Sequence, residues 1–186
     1  MANPHCWFMT ADNLYEQAVF LKKRKGRSFL TFTNHQRDFR ITWDGANRAT
    51  FLIGGFALEN AIKAFLVYEN PNWISNGKLA RHLRSHSLTS LQKQSSLIPY
   101  KNRYLGVLRS FEAGLESWAR YPCGLAVEYS ELEPVMPNEL WDQYLTVMSA
   151  YGNRLEKLLS KGWHGPHGFY GKWTFSGEFL RSGIAL

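Results

Sequence analysis

Residues 46–70 read ANRATFLIGGFALENAIKAFLVYEN and are followed by Pro71. Apolar side chains recur here every three or four residues, which is the spacing that places them on one face of an α-helix. The first apolar row consists of Phe51, Gly55, Leu58, Ile62 and Phe65. A second row lies beside it, so the apolar face is wide. The stretch therefore predicts a long central helix onto which other helices pack.

Two features of this helix call for an explanation. Gly54 and Gly55 are adjacent in its interior, where each glycine costs about 1 kcal/mol relative to alanine, so we expect another helix backbone to come close there. Glu59 precedes Lys63 by four residues, which is the favourable order for an ion pair along a helix. Two interpretations of this pair are open. It forms a solvated surface pair, or Glu59 lies at the bundle edge and orients a basic group from another segment.

The chain of 186 residues is 45% hydrophobic, which is enough for one core and does not require two. No apolar run reaches the roughly 18 residues needed to cross a bilayer, and the N-terminus lacks the pattern of a secretory signal. We therefore expect a single-domain cytoplasmic protein that does not enter a membrane. Cys6 and Cys123 fit neither a disulfide framework nor a CxxC zinc motif, and we expect no metal and no cofactor.

Four further helices are predicted around the central one. The first covers residues 10–25 with Thr10 or Asp12 as its N-cap, and the third begins after Ser85 or Ser87. The fourth covers residues 104–118, and the fifth follows Asn138 as its candidate N-cap and ends near residue 161; each carries an apolar stripe at helical spacing. The sequence thus predicts a mainly α protein, an up-and-down bundle of four to five helices within residues 1–162.

Two segments fall outside the helical pattern. Residues 29–33 and 39–43 are rich in β-branched and aromatic side chains, which indicates a small β-hairpin inserted at residues 28–43, or an ordered loop. Residues 163–186 combine regularly spaced glycines with aromatic side chains. We expect this irregular tail to pack on the bundle or on a second copy of the chain.

The formal net charge of +7 and a pI near 9.5 favour acidic partners such as nucleic acid. Basic side chains form three runs, at residues 22–27, at residues 81–86 and at residues 101–103, and the second run contains Arg81, Arg84 and His86. Arg120 follows later in the chain. Arg81 and His86 have the spacing Arg-x4-His, which places a phosphate-binding group and an acid–base group in the same segment.

Three motifs occur in a characteristic order: ALENAIKAFL at residues 57–66, HSLTSL at residues 86–91 and RYP at residues 120–122. Together they resemble the HEPN domain, a nucleotide- and RNA-associated helical bundle, over residues 10–160. The resemblance implies a bundle of four or five helices that forms homodimers. Some family members are metal-independent endoribonucleases, and others are partners of nucleotidyltransferases. A role in a toxin–antitoxin or defence system is implied in the same way.

In the nucleases of this family an Arg-x4-6-His motif carries the reaction, with histidine as general acid or base and arginine on the phosphate. Arg81 and His86 match that motif, although here it precedes the third helix, whereas in the nucleases it lies near the start of a late helix. The predicted RNA- or nucleotide-binding and orienting residues are Arg81, Arg84, His86, Arg120, Glu59 and Lys63. Binding without turnover, cleavage by Arg81 and His86, and a non-catalytic protein-interaction module remain alternatives. In the non-catalytic case His86 only caps and orients the third helix.

Overall fold

A computed structural model describes residues 3–24, 29–36, 38–75, 77–116, 119–120 and 136–181. Within these residues the chain forms five α-helices and three two-stranded antiparallel ladders. The helices are α1 (Pro4–Lys23), α2 (Gly45–Glu69), α3 (Leu88–Gln94), α4 (Leu105–Glu116) and α5 (Asn138–Leu159). The strands are β1 (Phe29–Asn34), β2 (Phe39–Asp44), β3 (Ile74–Ser75), β4 (Lys78–Leu79), β5 (Trp163–His164) and β6 (Tyr170–Gly171). The predicted mainly α bundle with a small hairpin is confirmed.

The centre of the bundle is α2, which packs against α1, α3, α4 and α5. Its predicted apolar row is buried throughout. Residues Ala46–Glu69 are also long and apolar enough to count as a candidate membrane span, the one such helix within the described ranges. The most apolar part of this helix is 78% buried inside the protein, as is usual for the core helix of a soluble protein.

The adjacent glycines of α2 make room for side chains of α4. A Cβ atom on Gly54 would lie 2.8 Å from a ring carbon of Phe111, and one on Gly55 would lie 2.7 Å from Cγ of Leu115. The expected close packing of another helix exists, and the atoms nearest to both glycines belong to its side chains. Large apolar side chains occupy the space that two missing Cβ atoms leave open.

The first helix begins at Pro4, earlier than predicted. Asn3 is its N-cap, and its Oδ1 accepts a hydrogen bond from the backbone N–H of Cys6 at 3.0 Å. Proline is favoured at the first helical position because its missing N–H has no intrahelical partner there. The predicted caps Thr10 and Asp12 were therefore wrong, and both residues lie inside α1.

The remaining predicted elements agree with the structure apart from their ends. The hairpin pairs β1 with β2 from Phe29 opposite Asp44 to Asn34 opposite Phe39. In α4 and α5 the buried residues follow the predicted stripes. The N-cap of α5 is Pro137, not Asn138, which is the first helical residue. The predicted end of the fourth helix at Trp118 and the part of the RYP motif beyond Arg120 lie outside the described residues.

The C-terminal tail packs on the bundle of the same chain. Phe175 and Phe179 contact the ring of Phe8 in α1 at centroid distances of 5.7 and 5.6 Å, and Trp173 stacks on His5. Leu180 is fully buried. The tail thus adds aromatic surface to the core on the α1 side.

Candidate functional site

The structure buries the Glu59–Lys63 pair of α2. Glu59 is 4% exposed and Lys63 is 3% exposed, and the Lys63 Nζ lies 2.6 Å from Glu59 Oε1. The interpretation as a solvated surface pair was therefore wrong. A buried ion pair is stable only when its two charges are in close contact and their remaining polar atoms have hydrogen-bond partners. The second oxygen of Glu59 has such a partner.

That second oxygen contacts His86, a basic residue from another segment. Glu59 Oε2 lies 2.9 Å from His86 Nδ1, and the imidazole is 47% exposed. The edge of the ring also faces Phe56, with centroids 6.4 Å apart. One buried carboxylate therefore holds an ammonium group inside the core and an imidazole at the surface.

The backbone beside His86 is fixed by a second carboxylate that the sequence analysis did not single out. Ser87 is the N-cap of α3, and its hydroxyl donates to Glu112 Oε1 at 2.9 Å. The other oxygen of Glu112 accepts the backbone N–H of Thr89 at 2.6 Å. His86 is thus positioned from α2 through Glu59 and from α4 through its neighbour Ser87.

The two arginines of the segment lie on a short 3-10 helix, Arg81–Arg84, just before His86. Leu83 is buried and anchors this turn, whereas Arg81 and Arg84 are exposed. The Arg84 guanidinium donates to the backbone carbonyl of Leu79 at 3.1 and 3.3 Å. In the described part of the chain Arg81 makes no hydrogen bond or ion pair, so its guanidinium is available to a ligand.

The predicted site residues fall into three groups. Glu59, Lys63 and His86 are brought into direct contact, and Arg81 and Arg84 share the preceding turn. Arg120 is exposed in a turn that follows α4. The core of the site is therefore the carboxylate, ammonium and imidazole cluster.

A further carboxylate acts electrostatically on this cluster. Glu116 lies one helical turn beyond Glu112 on α4. Partial burial raises the pKa of the Glu116 carboxyl, the charge of Glu112 raises it further, and the nearby His86 imidazole lowers it. Sequence spacing alone could not reveal Glu116, because its proximity to His86 depends on how α4 packs across α2.

The arrangement leaves His86 ready for proton transfer. Lys63 holds Glu59 from inside the core, and because a carboxylate only accepts hydrogen bonds, His86 Nδ1 carries a proton and donates it to Glu59 Oε2. The other ring nitrogen, Nε2, has no hydrogen-bond partner among the described residues. A half-exposed imidazole with one nitrogen anchored and the other open is the geometry of a general acid–base group. Within the same residues, no group of His, Cys, Asp and Glu side chains is arranged to hold a metal ion.

Comparison with known proteins adds no identification. No protein-family model matches the chain, and no curated protein or solved structure shows significant similarity to it. The resemblance to the HEPN domain therefore depends on the three sequence motifs alone.

Proposed function

We propose that this cytoplasmic protein binds single-stranded RNA at the surface around His86 and cleaves it without a metal ion. The observation that supports this proposal is the 2.9 Å contact between His86 Nδ1 and the buried Glu59, whose charge Lys63 balances. The net charge of +7 and the exposed Arg81 and Arg84 favour a polyanionic substrate.

In the proposed reaction the Nε2 atom of His86 removes the proton from an RNA 2′-hydroxyl. The 2′-oxygen then forms a bond to the adjacent phosphorus while the bond from phosphorus to the 5′-oxygen breaks. The products are a 2′,3′-cyclic phosphate and a free 5′-hydroxyl, whose oxygen takes a proton from water. Arg81 places positive charge beside the phosphate oxygens, where negative charge develops in the transition state.

The catalytic part is tested with a fluorophore-quencher RNA in EDTA. Replacing His86 with alanine removes the acid–base group, so we expect cleavage to fall about 100-fold or more. The Lys93→Gln variant is the control, since Lys93 is an exposed lysine of α3. An analogue with a 2′-deoxy group at the cleavage site should not be cleaved by the wild-type protein. Equal cleavage by wild type and His86→Ala, or no cleavage by either, would rule out the nuclease.

The binding part is tested separately by filter binding at increasing salt. We expect affinity to fall steeply with salt, because phosphate contacts release counterions. The Arg81→Gln, Arg84→Gln double variant should bind more weakly and with a shallower salt dependence. Salt-insensitive binding, or none, would remove the RNA assignment. Binding without cleavage would instead support the alternative of an RNA-binding protein without turnover.

The alternative of a protein-interaction module has less support. That alternative uses the aromatic tail and an open face of the bundle to bind a partner, whereas Trp173, Phe175 and Phe179 contact α1 of the same chain. A homodimer, a nucleotidyltransferase partner and a role in a toxin–antitoxin or defence system stay predictions of the family resemblance.

A further inference from the structure

A second polar groove lies away from the residues of the His86 site. It has a volume of about 780 Å³ and is formed by residues 99–104, which lead into α4, and by one face of α5. This volume is within the range of sites that bind small molecules. Its central lining residues are Tyr100, Arg103, Tyr104, Asn153, Arg154 and Lys157.

The α5 wall of the groove is the polar side of an amphipathic helix. Thr146, Ser149, Asn153 and Lys157 follow one another at intervals of three or four residues, so they share one face. The opposite face carries the buried apolar stripe of α5. Hydroxyl, amide and ammonium groups therefore line this wall over three turns.

The groove is positively charged. Arg103, Arg154 and Lys157 line it, and none of its lining residues is an Asp or Glu. In the described part of the chain none of the three cations forms an ion pair. At low salt an anion that enters the groove therefore finds no carboxylate competing with it for the three cations.

An exposed aromatic ring completes the groove. Tyr100 is 63% exposed and has a φ of 54°, a left-handed conformation that is uncommon for a residue with a side chain. The turn is held by a hydrogen bond from the Arg103 N–H to the Tyr100 carbonyl at 3.0 Å. The Tyr100 ring meets the buried Tyr104 edge-on at a centroid distance of 6.2 Å, and the Arg103 guanidinium lies 5.4 Å from the centre of the Tyr104 ring. The exposed Tyr100 ring and the Arg103 guanidinium therefore both contact the Tyr104 ring.

We propose that this groove binds a segment of single-stranded RNA, with one base stacked on Tyr100 and the adjacent phosphates on Arg103, Arg154 and Lys157. Aromatic platforms beside backbone-tracking cations are the usual means of binding a single strand without sequence preference. This inference rests on the RNA assignment of the proposed function. It extends the footprint of the strand beyond the cleavage site and adds residues that contribute to affinity but not to chemistry.

The experiment is fluorescence anisotropy with 5′-fluorescein-labelled dodecauridylate. The Arg154→Gln, Lys157→Gln variant removes two groove cations, and the Lys93→Gln, Arg109→Gln variant removes two exposed cations that do not line the groove. We expect the groove variant to bind about tenfold more weakly. Its salt slope should fall by about 1.4, since each lost phosphate contact contributes roughly 0.7 for single strands. The affinity of the control variant should stay within about twofold of the wild-type affinity. Circular dichroism confirms that each variant folds.

The stacking contribution is tested at Tyr100. The Tyr100→Ala variant should lose about tenfold in affinity, whereas Tyr100→Phe keeps the ring and should bind like wild type. Competition with uridine monophosphate distinguishes the source of the ligand. A mononucleotide that displaces the strand at a similar concentration would contradict the RNA assignment and indicate a free-nucleotide site.

The outcomes for the groove and for the nuclease are separate. Equal losses in the groove and control variants, or no loss in either, would overturn the groove even if His86→Ala abolishes cleavage. A selective loss in the groove variants would support the groove even if the wild-type protein cleaves no RNA. Absence of binding of the labelled strand to the wild-type protein at low salt would also overturn it.

Discussion

The burial of Lys63 leads to a stability prediction that also tests the architecture of the site. In the Lys63→Met variant the side chain keeps an apolar stem of similar length but loses the ammonium group that lies 2.6 Å from Glu59. Glu59 would remain 4% exposed and would keep His86 as its hydrogen-bond partner. The perturbation therefore leaves a buried carboxylate without the cation that balances it.

The expected magnitude follows from this geometry. Removing one partner of a buried ion pair costs roughly 3 to 5 kcal/mol, because the remaining charge is desolvated and unpaired. The imidazole of His86 still contacts Glu59, so we expect the lower end, about 3 kcal/mol. The contact of Lys63 with the Trp7 ring, 5.5 Å from its centroid, adds a smaller loss. Neutralising Glu59 as well, in the Glu59→Gln, Lys63→Met variant, should recover about 2 kcal/mol.

The measurement is urea unfolding followed by circular dichroism at pH 7. A typical urea m-value of about 1 to 3 kcal/mol per molar converts a loss of 3 kcal/mol into a midpoint shift of about 1 to 3 M. Lys93→Met is the matched control, since Lys93 is an exposed helical lysine and its substitution should change stability by less than about 0.5 kcal/mol.

Two results would refute the reasoning. A loss below about 1 kcal/mol in Lys63→Met would mean that Glu59 does not need the ammonium group. Strictly additive effects of Glu59→Gln and Lys63→Met would mean that the two side chains are not energetically coupled, although they are 2.6 Å apart.

Two further predictions concern packing and pH. Gly55→Ala should destabilise the protein by up to about 2 kcal/mol, because the clash with Leu115 outweighs the gain of about 1 kcal/mol in helix propensity. Gly106→Ala is the control, since its Cβ would meet nothing within 4 Å, and it should be stabilising. If urea unfolding shows that both variants change the stability in the same direction, this account is contradicted. Burial raises the pKa of Asp12, so the folded state binds its proton more tightly and stability falls as pH rises from about 4 through the raised pKa. Asp12→Asn keeps an oxygen that accepts the hydrogen bond from the Leu180 N–H. In thermal melts this variant should be at least as stable as wild type at pH 7, and its stability should depend less on pH. A lower stability than wild type at pH 7 would refute this prediction.

The helices were predictable because their patterns are local. Residues 46–70 contain enough apolar residues at helical spacing to specify α2, and the stripes of α4 and α5 have the same property. The ends were less predictable. The start of α1 was missed because the Asn-Pro pair at residues 3 and 4, an N-cap followed by a favoured first residue, was not recognised. A cap involves one or two residues and leaves a weaker pattern than a stripe.

For the candidate site, some residues were predictable from the sequence and others were revealed only by the structure. The spacing of Glu59 and Lys63 predicted their ion pair, and the sequence drew attention to Arg81 and His86. It left the burial of the pair open, and it did not point to Glu112 or Glu116 as residues that act on the His86 segment.

By itself, the amino-acid sequence determined the helical class, the central helix and the excess of positive charge, and it left a hairpin or an ordered loop open for residues 28–43. Only the tertiary structure decided that Glu59 is buried, that its second oxygen reaches His86, and that Tyr100 borders a cationic groove against α5. The reason is physical. The periodicity of apolar residues along the chain indicates which face of a helix is buried. The contact between Glu59 and His86 depends instead on how α2 and the segment before α3 pack against each other.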